Sequence, residues 1–93
     1  MKVKDIKKGD VLFKCNKSEL CVLEVLRHRP KVTFEGFDEI VTINRITSNY
    51  HSLIIRSDKD LDELVFTSGG YYTSNEDKAV NKYKELTEDE TSE

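Results

Sequence analysis

Ile6-Lys7-Lys8-Gly9-Asp10-Val11-Leu12-Phe13 is the stretch on which the fold turns. A glycine followed by an aspartate suits a tight reversal, and the residues after it alternate with the period of a strand. Val11, Phe13 and Cys15 form one row, and Leu12 and Lys14 the other. A second alternating run, 21–26, follows a polar turn at 16–20. Placing Cys15 opposite Cys21, Phe13 opposite Leu23 and Val11 opposite Val25 puts six apolar side chains on one face of an antiparallel hairpin.

Further along, Arg27-His28-Arg29-Pro30 reads as a strand exit, because Pro30 has no N–H for a central ladder. Residues 31–35, with Val32 and Phe34 alternating, predict a third strand that Gly36 ends, and 39–46 is rich enough in β-branched residues for a fourth. Leu53, Ile54 and Ile55 form a compact apolar run inside 52–57. A polar turn at 58–60, a strand at 63–67, a Ser68-Gly69-Gly70 hairpin turn and a strand at 71–73 complete the series. Five or six short antiparallel strands at such spacing predict a small barrel or sandwich.

After Thr73 the period changes. Thr73 or Ser74 is placed to cap a helix, each with an acid three residues on, and Ala79, Val80, Tyr83 and Leu86 recur at helical spacing. The pattern predicts a helix over about 75–86 that covers an open end or edge of the barrel. Residues 87–93 hold no apolar side chain and four acids, which predicts a disordered acidic tail beyond a single domain spanning 1–86.

The composition sets limits on function. The 93 residues are 37% hydrophobic and 35% charged, and no apolar run approaches the roughly 18 residues of a membrane span. The chain therefore reads as soluble and cytoplasmic. Cys15 and Cys21 read as reduced thiols; their spacing and the two histidines are too little for a zinc site. Neither metal nor cofactor is expected.

Charge is uneven along the chain. Residues 1–34 carry nine Lys/Arg against four acids, whereas 35–65 carry three against seven. A basic front could steer a charged partner. Lys7, Lys8, Arg27, Arg29 and Lys31 are candidate phosphate contacts, with Phe34, Phe37, Tyr71 or Tyr72 as stacking platforms. The overall charge of −3 opposes general affinity for nucleic acid. The acids Asp58, Asp60, Asp62 and Glu63 read as a turn that keeps a sheet edge soluble.

Catalytic signals are weak. His28 lies between two arginines and His51 follows Tyr50 in a loop-like context, with no nucleophile placed by motif beside either. Ser68-Gly69-Gly70 lacks the Gly-Lys-Ser/Thr ending of a phosphate loop and is followed by strand-like residues. The chain is therefore expected not to be an enzyme.

Ile6–Val11 with Leu20-Cys21-Val22-Leu23-Glu24-Val25 resembles the opening hairpin of SH3-like barrels, including KOW and Tudor-type modules. It differs from the KOW pattern in lacking a glycine between the strands, which argues against an RNA- or polymerase-binding role. Tyr71-Tyr72-Thr73-Ser74-Asn75-Glu76-Asp77-Lys78-Ala79 resembles the end of small phage proteins in which an aromatic strand leads through a capped turn to a helix. The resemblance implies an SH3-like barrel of phage or mobile-element origin and carries over no catalytic residues. A phage accessory factor that binds and modulates a host protein inside the host cell is the function expected on that footing. The resulting expectation is a protein-binding module, with Arg27, Arg29, Phe37, Tyr71 and Tyr72 as candidate contacts. Nucleic-acid binding through the basic N-terminal third is the alternative. Homodimerisation through a sheet edge is a further expectation.

Overall fold

The structure, a computed structural model, describes the backbone of residues 1–67 and 69–91 and the side chains to Glu88, Ser68 excepted. A short 3-10 turn, Val3–Asp5, precedes six strands: β1 Val11–Cys15, β2 Leu20–Arg29, β3 Phe37–Asn44, β4 Tyr50–Arg56, β5 Val65–Thr67 and β6 Gly70–Thr73. One helix, α1, follows over Glu76–Thr91. The strands form one antiparallel sheet in the order β4-β3-β2-β1-β6-β5, curled into the nearly closed small barrel that the strand spacing predicts. Its interior holds Leu12, Cys21, Leu23, Val25, Ile40, Leu53, Ile55, Val65 and Tyr72, with Val3, Ile6 and Leu61 closing one end.

The Gly9-Asp10 turn forms as read. Gly9 takes φ +96°, a conformation costly for residues with a Cβ, and its N–H donates to Val25 O at 2.8 Å. The hairpin register differs from the expected one by a single residue. Cys15 pairs with Leu20, Lys14 with Cys21 and Leu12 with Leu23. Asn16 is the cause: its Oδ1 accepts the Ser18 and Glu19 N–H groups at 2.8 and 2.9 Å, closing a four-residue turn at 16–19. A one-residue slip exchanges the faces of β1, so Leu12 rather than Phe13 enters the core. Cys15 is also fully buried, but on the opposite face and outside that core cluster. The two free cysteines therefore do not face each other across the strands.

The predicted strand at 31–35 is a loop. Pro30 ends β2, Lys31 turns to φ +52° with its N–H held by Asp38 Oδ1 at 2.9 Å, and Val32 N–H donates to Phe37 O at 2.8 Å. The chain reverses within these residues and leaves Phe34 wholly exposed. The third strand begins at Phe37 instead.

The helix starts near its expected position but is capped by Asn75, whose Oδ1 accepts Lys78 N–H at 3.1 Å. The Thr73 and Ser74 hydroxyls bond instead to Leu61 O, at 2.8 and 3.1 Å. Helix α1 packs on β1, β6 and β2, burying Ala79 completely, so it covers a sheet face rather than an end or edge of the barrel. It continues to Thr91, into the stretch expected as tail; residues 92 and 93 lie outside the described residues. Among the described residues no helix is long and apolar enough to cross a membrane.

Candidate functional site

Among the described residues two strands lack a second partner. β4 pairs only with β3, and β5 only with β6, so the ends of the curled sheet face one another as unpaired edges. Between them lies a groove of about 470 Å³. Alternation along β4 sends Leu53 and Ile55 inward and leaves Tyr50, Ile54 and Arg56 outside. On the opposite wall Val65 is buried, whereas Phe66 is 68% exposed. Ile54 and Phe66 thus stand as apolar flanks, with Tyr72 among the residues lining the groove.

The ends of this seam differ. At the β4 start, His51 Nε2 lies 2.5 Å from the Tyr72 hydroxyl, a side-chain bridge between β4 and β6. Towards the β4 end, Arg56 lies over the Phe37 ring at 5.9 Å and Lys59 joins the lining. Among the described residues the groove lining contains no carboxylate.

His51 also faces a smaller polar cavity of about 160 Å³ at the barrel mouth, lined with Lys14, Glu19, Cys21 and Asn44. Lys14 Nζ approaches Glu19 Oε2 at 3.4 Å. The Cys21 thiol and the Lys14 charge hold the Glu19 carboxyl below its usual range. Burial, then Glu19, pushes the Cys21 thiol up to about 11, and burial pushes the Tyr72 phenol up to about 12. Near neutral pH both keep their protons, so neither is poised as a nucleophile. Among the described residues no group of three or more His, Cys, Asp or Glu side chains is arranged to hold a metal ion.

Burial, aided by Lys14, lowers the His51 pKa from its ordinary 6.5, against a smaller opposing effect of Glu19. Below that value the unfolded chain binds a proton that the folded chain resists, so His51 makes stability fall as pH drops through 6.5. Urea denaturation at about pH 7.5 and about pH 5.5 should show a smaller acid-side loss in His51→Gln than in the parent. Equal losses would mean that the His51 environment does not set this dependence.

A second buried polar group sits at the other end of β3, on the same inward face. Asp38 is fully buried, and its Oδ2 meets His28 Nε2 at 2.7 Å, while His28 Nδ1 lies 3.0 Å from Ile6 O. A register shift between Val25 and Arg27 makes this possible. It changes the phase of β2, so that His28 turns inward and Arg27 and Arg29 remain exposed.

The expected contact residues are dispersed. Phe37 and Tyr72 line the seam. Tyr71 lies on the other face of β6, against Phe66 at 5.1 Å and beneath Lys82 Nζ at 4.7 Å. Arg27 and Arg29 are outside the groove on β2, and Arg29 reaches Glu39 at 3.3 Å. The five cations of the nucleic-acid alternative do gather near one end of the barrel. Lys7 and Lys8 lie between Ile6 and Gly9, which bond to His28 and Val25, and Arg27, Arg29 and Lys31 flank that same strand end.

Sequence reasoning missed His51, Ile54 and Phe66. A signal for Ile54 existed: three consecutive apolar residues in a strand cannot all face one core. Comparison with protein-family models, curated proteins and solved structures returned no match.

Proposed function

We propose that this chain is a non-enzymatic protein-binding module that takes an extended segment of its partner into the seam between β4 and β5. The observation that carries this reading is the pair of unpaired strand edges facing each other across an apolar groove. Edges of this kind bind by strand addition, with main-chain hydrogen bonds supplying affinity and side-chain pockets supplying choice. Exposed Ile54 and Phe66 add apolar area on both flanks. The likeness of residues 71–79 to the ends of small phage proteins is the ground for reading the partner as a host protein.

Selection of displayed random peptides on the immobilised protein tests this reading. Enriched peptides should lose at least about tenfold in affinity with Ile54→Asp or Phe66→Asp, equivalent to about 1.4 kcal/mol. Arg27→Ala and Arg29→Ala should leave binding nearly unchanged. Failure to enrich a binder, or binders indifferent to both seam substitutions, would overturn the proposal.

The gathering of Lys7, Lys8, Arg27, Arg29 and Lys31 favours nucleic acid as the second reading. A mobility shift at about 50 mM salt that fades steeply as salt rises would support it.

A further inference from the structure

We infer that the seam reads its partner in one direction: it takes a single strand running antiparallel to β4, with an acidic residue near that strand's N-terminal end. This inference rests on the strand-addition reading and adds polarity and charge to it.

The direction follows from strand parity. Six strands paired antiparallel in sequence leave β4 and β5 running opposite ways. A single inserted strand must then be antiparallel to one edge and parallel to the other. β4 offers seven residues and β5 three, and antiparallel pairing is slightly more stable per residue. The longer edge therefore sets the direction. The six lining residues of β4, from His51 to Arg56, span about 17 Å at strand rise, so the recognised segment is about six residues long.

Charge supplies the second half. A strand antiparallel to β4 begins beside Arg56 and ends beside His51. Among the described residues Arg56 and Lys59 are the groove's lysine and arginine lining residues, and no acid joins them there. Asp60 and Glu63 line the adjoining cavity that shares Lys59, but pair with the Met1 amine and Lys78. Asp58 takes two Arg56 N–H groups at 3.3 Å, but both partners are about half exposed or more, so the pairing is weak and open to exchange. A ligand carboxylate at that end meets two cations of the lining, whereas a ligand lysine meets the same two cations and no lining acid among the described residues. Beyond it, alternate ligand side chains face Leu53, Ile55 and Val65 within the groove or Ile54 and Phe66 at its rim, so apolar and β-branched residues fit.

Titration of the isotope-labelled protein with three blocked hexapeptides tests this. The first has one glutamate followed by alternating valine and threonine; the second is its reversed sequence; the third replaces the glutamate by lysine. The first should perturb amides of β4 and β5 and bind at least about tenfold tighter than the other two, about 1.4 kcal/mol. In the double variant Arg56→Gln/Lys59→Gln the glutamate and lysine peptides should bind alike, while forward still exceeds reversed. If forward and reversed peptides bind equally and Ile54→Asp weakens both, the directional inference fails while the seam stands as a binding site. If none of the peptides perturbs β4 or β5, the strand-addition reading itself fails. Concentration-dependent dimerisation that Ile54→Asp abolishes would overturn the inference in favour of a second copy as the occupant.

Discussion

Asp38→Ala is expected to destabilise the fold by about 3–5 kcal/mol, much of the stability available to a domain of this size. Asp38 is fully buried and ties three segments to β3. Its Oδ1 accepts Lys31 N–H, which fixes the loop after Pro30, and its Oδ2 meets His28 Nε2. His28 Nδ1 faces Ile6 O, and because a carbonyl oxygen only accepts, Nδ1 carries the proton of that bond. Alanine would leave the Lys31 N–H and the His28 ring without their carboxylate, inside a site from which water is largely excluded. Asp38→Asn retains one carbonyl acceptor and should cost less. Urea denaturation of both variants measures the difference. A loss under about 1 kcal/mol for Asp38→Ala would show that the network does not hold these segments.

Gly70→Ala is expected to cost about 2–5 kcal/mol, combining backbone strain with a steric clash. Gly70 takes φ +136°, and a Cβ there would lie 2.6 Å from the Cys15 carbonyl oxygen. The obstacle is backbone, so relief requires β6 to move from β1. Because β6 carries Tyr72 and supports β5, that movement displaces one wall of the seam. Gly69→Ala is the control. Its Cβ would meet the Tyr72 hydroxyl at 3.2 Å and the flexible end of Lys14, both side-chain atoms, and its cost should be smaller. Thermal unfolding should place the Gly70→Ala midpoint more than about 10 °C below the parent. Equal midpoints for the two variants would refute the clash.

These two sites show why local pattern was an incomplete guide. Arg27 and Arg29 share parity with Cys21, Leu23 and Val25 in an unbroken strand, so their outward placement and the inward turn of His28 depend on the shift after Val25. Nothing in the alternation marks that irregularity. The β1–β2 register was missed for a related reason. β1 buries Leu12 on the barrel side and Cys15 on its other face, so period-two patterning does not identify the core face. The local hydrogen bonds of Asn16 decided the register.

The sequence by itself determined most of the elements: the Gly9 turn, the strands on either side of 16–19, the Leu53–Ile55 run and the amphipathic start of α1. Turn chemistry and side-chain period act over a few residues, and a single chain displays them directly. The seam is different. It exists because β6 pairs with β1 and leaves β5 facing β4 without joining it. Which edges stay unpaired depends on contacts between residues far apart in the chain, and on how far the sheet curls before its ends meet. Only the tertiary structure decides that, and with it where a partner strand can enter.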